Sequence, residues 1–360
     1  MNNYITIDSI KEHLELEESP DQLLEFRARE DIIERILELR DKKNVLILGH
    51  NYMEPKVYHL SEKQYRGDSL QLSRLAAQSN NPIILFDGVR FMAETAKILN
   101  PDKKVLIADI DAGCSLADPF TAKDVLEYKQ KYPGTPVVTY INSYADIKAE
   151  SDYCCTSANA LKIVKHAANE YRTKKVIFFP DSLMGRNIQE ELSKSGSDIE
   201  LIYPGKYDDK YGRCEVHERI RAEDIKNIRK QHKLPKHDKS KVLEKDNIET
   251  AVLVHWECLP ETVEEADFTG STSEMIKYMA EHKNLKRVYL GTECEMTANL
   301  EREYPQIQFI KTCNIFCQHM RKITLEKILD CLENEAPEIT VPEDIRKRAL
   351  IPIERMLAIK

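Results

Sequence analysis

The chain has no long hydrophobic run. Its longest apolar stretches, such as Ile83 to Phe86 and Val176 to Phe179, cover only a few residues, which excludes a membrane-spanning helix. The N-terminus, MNNYITIDSIKEHLELEE, has no apolar signal core, so the expectation is a cytoplasmic protein. Positive charge is in deficit: a formal net charge of −8 argues against nucleic acid as the main partner, while leaving room for a locally basic cleft that takes small anions. There is no CxxC pair and hence no local zinc finger. Nine cysteines, an odd total, fit a reducing compartment and metal ligation better than a disulfide scaffold. Hydrophobic and charged fractions of 42% and 32% are those of a globular chain, and 360 residues suffice for two or three domains.

What the chain does have is one α/β unit written three times. The first copy reads as strand Asn44 to Tyr52, a helix from Ser69, strand Pro82 to Gly88, helix Phe91 to Leu99 and a strand running on to Cys114. The second has strand Pro136 to Tyr144, a helix from Ser157, strand Lys174 to Asp181, a helix from Arg186 and a strand leading to Cys214. The third has strand Thr250 to Cys258, a helix from Ser271, strand Lys286 to Glu293, a helix from Met296 and a strand ending at Cys317. Short β-branched runs alternating with helical periods predict α/β architecture, three similar units with parallel sheets flanked by helices; if these three α/β/α domains are arranged about a pseudo-threefold axis, the ends of their strands meet in one central cavity. The domains are 1–118 with an N-terminal helix (Glu25 to Asp41), 119–232, and 233–360 with a C-terminal helix (Pro342 to Leu357). The charged stretch Lys226 to Glu249 reads as a helix end and loop at a domain boundary.

Cys114, Cys214 and Cys317 recur at a period of about a hundred residues, each at the same point of its copy, which points to a metal site shared by three modules. Three thiolates leave one position of a tetrahedral zinc, or one iron of a 4Fe-4S cluster, open to substrate, and the spacing suits the cluster better. The other six cysteines read as small buried hydrophobes, with Cys313 the exception that could form a disulfide or replace Cys317. In parallel sheets ligands bind beyond the carboxyl ends of the strands. The polar residues there are His50, Asn51 and Tyr52, then Tyr140 and Asn142, then His255 and Glu257. Histidine, tyrosine and a glutamate shifted by burial can move protons near neutral pH. Ser69, Ser157, Ser271 and Thr272 lie at hydroxyl-rich helix starts, where carboxylate or phosphate binds well, although such residues are also the commonest helix caps. The segment after Tyr52 carries Lys56, Lys63 and Arg66 and could close over an anion as a lid.

The stretches GHNY, GDSLQL, GVRFMAETAKILNP, AGCSLAD, VVTYINSYADIKAESD, TSANA, GRCEVH, HWECLPE, GSTSEMI, GTECEM and CQHMRKITLEKI together resemble the quinolinate synthase family from about Asn44 to Met356. The resemblance implies an enzyme of de novo NAD synthesis, a transferase that condenses iminoaspartate with dihydroxyacetone phosphate and releases phosphate and water. It implies a 4Fe-4S cluster on Cys114, Cys214 and Cys317 whose open iron acts as a Lewis acid. It implies Tyr52, Glu257, His50 and His255 as catalytic residues. His50, Ser69, Tyr140, Asn142, Ser157, His255, Glu257, Ser271 and Thr272 would bind substrate, and an aspartate oxidase or dehydrogenase would be a transient partner. One departure is His255-Trp256-Glu257 where the family usually reads His-Pro-Glu. A cluster hydro-lyase and a non-catalytic cluster sensor are the rival classes, and the hydroxyl-rich helix starts favour an enzyme over a sensor.

Overall fold

The computed structural model of the chain describes residues 5–10, 27–237, 248–301, 303–311 and 315–359. It contains three four-stranded sheets, and every strand pairing between named strands is parallel. The first sheet holds β1 (Val45–His50), β2 (Arg66–Gly67), β3 (Ile83–Asp87) and β4 (Lys104–Leu106) in the order β2-β1-β3-β4. The second holds β5 (Val137–Tyr140), β6 (Tyr153–Cys155), β7 (Lys175–Phe179) and β8 (Glu200–Ile202) in the order β6-β5-β7-β8. The third holds β9 (Thr250–His255), β10 (Phe268–Gly270), β11 (Arg287–Gly291) and β12 (Gln308–Phe309) in the order β10-β9-β11-β12. One topology therefore occurs three times, as the repeated α/β pattern predicts. All six residues of β1 and of β9 are buried, because helices cover both faces of a parallel sheet.

Two differences from the sequence reading have a common cause. The second strand of each sheet is only two or three residues long, too short for any hydrophobic period to show, and is held by main-chain pairing to the first strand. Cys154 and Cys155 lie in one of these strands. The fourth strands stop at Leu106, Ile202 and Phe309, so the cysteine of each copy ends a loop and not a strand. The flanking helices form at Glu30–Lys42 and Glu343–Ala358. Helix Ala222–His232 takes up the start of the charged stretch, of which residues 238–247 lie outside the described residues.

By compactness the chain falls into two units. The first comprises Met1–Gly113, Glu293–Pro305 and Phe316–Val341 and contains β1 to β4. The second comprises Cys114–Thr292, Gln306–Ile315 and Pro342–Lys360 and contains β5 to β12. No helix among the described residues is long and apolar enough to cross a membrane.

In the first unit β3 ends at Asp87, which is fully buried with no hydrogen-bond partner among the described residues for either carboxyl oxygen. Burial pushes its pKa well above the ordinary value. With the folded-state pKa raised, this group's contribution to stability is full below its unfolded pKa and is lost as pH rises toward the folded value. Asparagine cannot charge. The stability of Asp87→Asn relative to wild type should therefore improve as pH is raised from about 5 to about 8, measured by denaturant unfolding. A difference independent of pH would contradict burial of Asp87 as the neutral acid.

Candidate active site

The first strand of each sheet ends in the residue singled out for function. His50 closes β1, Tyr140 closes β5 and His255 closes β9, and all three are buried. In the second unit the side chains beyond these ends converge on Glu257. Its Oε1 accepts hydrogen bonds from the Tyr140 hydroxyl at 2.8 Å and from Asn142 Nδ2 at 3.2 Å. Its Oε2 lies 2.9 Å from His217 Nδ1, and His217 Nε2 lies 2.9 Å from Thr292 Oγ1. The result is a buried carboxylate–imidazole–hydroxyl chain, with the His255 ring stacked on His217 at 4.4 Å between centroids.

The electrostatics correct one expectation. Burial alone would raise the pKa of Glu257, but His255, His217 and the hydrogen bonds from His217 and Tyr140 outweigh it and hold the carboxyl below its ordinary range. Glu257 is therefore a carboxylate that accepts hydrogen bonds rather than an acid raised by burial. Tyr140 moves the other way: burial, then the charge of Glu257 and the bond to it, push its pKa well above the usual phenol value, so it stays a donor. The Ser157 hydroxyl acts weakly in the opposite sense, lowering the Tyr140 pKa without reversing the shift.

His217 and Thr292 were missed in the sequence. The signal for His217 is the Cys-x-x-His spacing within GRCEVH. Thr292 carries no local signal, since it only follows strand β11. Cys214, His217 and Glu257 bring potential metal ligands within 4.8 Å of one another.

The cysteines fall into two classes. Cys114, Cys214 and Cys317 are half-buried and in no disulfide. Cys154, Cys155, Cys258 and Cys331 are buried, and burial raises each thiol pKa, to about 12 for Cys154 and Cys331 and well above the usual value for Cys155 and Cys258. A thiol held in its protonated form is a poor metal ligand, so the donor chemistry favours the first class. Cys294 is disulfide-bonded, contrary to its expected role as a buried hydrophobe, and Cys313 lies outside the described residues. The Cys114 and Cys214 loops are joined directly. The Ser115 hydroxyl donates to the Arg213 carbonyl at 3.3 Å and accepts from the Glu215 N–H at 3.0 Å, so it bonds both residues that flank Cys214. In the first unit the Cys317 N–H is held by Glu293 Oε1 at 3.3 Å.

The chain matches the sequence profile described as "Quinolinate synthetase A protein" over residues 34–358. It is 43% identical over 334 residues to the quinolinate synthase of Caulobacter vibrioides, covering 93% of this chain and 83% of that one. It is equally similar over the same length to quinolinate synthase 1 of Mesorhizobium japonicum, covering 93% of both chains. Against the quinolinate synthase of Xylella fastidiosa it is 42% identical over 327 residues, covering 91% of this chain and 87% of that one. The chain belongs to the quinolinate synthetase A family.

Some residues implied by that family have visible structural work as well. Ser271 caps helix Thr272–Glu281, its hydroxyl accepting from the Glu274 N–H while the Glu274 carboxylate accepts from the Ser271 N–H. Ser69 begins helix Ser69–Gln78, but Asp68 supplies the cap. Ser157 is not at a helix start. The helix begins at Ala160 after the Asn159 cap position, and Ser157 lies in the turn before it. In the first unit Tyr52 is half-buried, and its N–H donates to His50 Nδ1 at 3.2 Å. The segment after Tyr52 is packed. Met53, Val57, Leu60 and Ser61 are buried, Arg66 donates to the Ser61 carbonyl and lies over the Tyr58 ring, and Lys63 pairs with Glu303.

Proposed function

We propose that the chain is a quinolinate synthase of NAD biosynthesis, acting in the cytoplasm on iminoaspartate and dihydroxyacetone phosphate, with residues 1–118, 119–232 and 233–360 as its three domains. The observation that carries this reading is the buried Glu257–His217–Thr292 chain next to Tyr140 and Asn142, in a chain 43% identical to quinolinate synthases over nearly its whole length. In this reading Cys114, Cys214 and Cys317 hold a 4Fe-4S cluster, which when bound supplies an iron open to substrate as a Lewis acid. Glu257 fixes the orientation of His217, and His217 exchanges a proton at Nε2 with Thr292 or with a group in its place. Tyr52 moves a proton beside His50. Tyr140, Asn142, Ser157 and His255 orient substrate, and an aspartate oxidase or dehydrogenase supplies the imine.

Anaerobic protein given oxaloacetate, ammonia and dihydroxyacetone phosphate should form quinolinate. Dehydration of a hydroxy acid without quinolinate would instead favour the hydro-lyase class. Ser69, Ser271 and Thr272 bind the anionic groups of the substrates in this reading. Ser271→Ala with Thr272→Ala should raise KM for dihydroxyacetone phosphate about tenfold or more, with turnover at saturation within about threefold of wild type. Lost turnover at saturating substrate with unchanged KM would remove these residues from the phosphate site.

A further inference from the structure

Two buried asparagines, far apart in sequence, make the same pair of hydrogen bonds to two different loops. Asn187, in helix Ser182–Lys194, donates from Nδ2 to the carbonyls of Trp256 at 2.8 Å and Cys258 at 2.9 Å. Asn299, in helix Cys294–Glu301, donates from Nδ2 to the carbonyls of Asn51 at 3.1 Å and Met53 at 2.8 Å. In each case the two carbonyls flank one residue, Glu257 or Tyr52. The loops match in their other bonds too. His255 Nδ1 accepts the Glu257 N–H and His50 Nδ1 accepts the Tyr52 N–H, while the carbonyls of His255 and His50 accept the N–H groups of Cys258 and Met53.

Only the nitrogen face of a carboxamide can satisfy two carbonyls, and this fixes the orientation of each side chain. The consequence is visible at the other end, where Oδ1 of both Asn187 and Asn299 is buried without a partner among the described residues. The donor function is therefore kept at the expense of the acceptor. We propose that Asn187 and Asn299 are positioning residues that clamp the loops carrying Glu257 and Tyr52, each setting the direction of one side chain used in proton transfer. The clamp is not a general device of the repeat. Thr95 occupies the matching position of the first copy and donates instead to the Phe91 carbonyl of its own helix, and in the loop after Tyr140 the Ser143 carbonyl is held by Lys148.

The assignment of Tyr52 and Glu257 to proton transfer rests on the proposed function, but the clamp can be read without it. Asn187→Asp and Asn299→Asp keep side-chain shape while replacing the donor nitrogen by oxygen. Amide hydrogen exchange, followed by mass spectrometry on the full chain, should quicken about tenfold or more over Trp256 to Cys258 in Asn187→Asp and stay unchanged over Asn51 to Met53. Asn299→Asp should show the reverse. In the quinolinate assay each should lower kcat about tenfold to a hundredfold with KM within about threefold. Unchanged exchange in a variant's own loop overturns the clamp. So does equal loosening of all peptides, or an Asp variant that does not fold, since either outcome assigns the asparagines to general packing. Altered exchange with unaltered kcat overturns the positioning role. If the wild type makes no quinolinate while the exchange pattern holds, the proposed reaction fails and the clamp stands.

Discussion

Replacing Cys114, Cys214 or Cys317 by serine should abolish both bound iron and turnover, whereas serine at Cys154, Cys155, Cys258 or Cys331 should leave iron content at the wild-type level. The expected loss is complete to within assay background, because a cluster held by three thiolates has no spare ligand. The four tolerated positions are buried thiols with raised pKa values, and their replacement acts through packing, costing about 1–3 kcal/mol of stability without touching the site. Iron and visible absorbance on anaerobically prepared variants check this. Retention of iron by Cys317→Ser would show that the third ligand is elsewhere in the chain.

Glu257→Gln should lower kcat about a hundredfold to ten-thousandfold while keeping the cluster. Glutamine preserves size, but it removes the negative charge that faces His217 Nδ1 at 2.9 Å and changes what Tyr140 and Asn142 can donate to. If Glu257 and His217 act as one unit, Glu257→Gln combined with His217→Ala loses no more than the worse single variant. Tyr52→Phe should lose turnover to a similar extent with little change in KM. Steady-state kinetics on proteins of matched iron content decide this. Near wild-type turnover in Glu257→Gln, or multiplication of the two single losses in the double variant, would count against a shared proton path.

Much of this site lay in the local sequence. His50, Tyr140 and His255 each end a β-branched run of a length that only a buried strand explains, and the three cysteines recur at one period. The sheets' second strands were not legible because two or three residues carry no period and depend on pairing with a neighbour. His217 hid in a 3-10 turn, His217–Arg219, that no hydrophobic pattern marks. Thr292 and Asn187 gain meaning only from partners some seventy residues away, which a linear reading does not join. The protonation state of Glu257 was beyond reach for the same reason. Burial and the two imidazoles push in opposite directions, and only the folded geometry shows which prevails.

The most direct test of this account is the metal content of the wild-type chain purified without oxygen. The account predicts about four iron and four acid-labile sulfide per chain, with the broad visible absorbance of a 4Fe-4S cluster that reduction bleaches. One zinc per chain with no sulfide would contradict it.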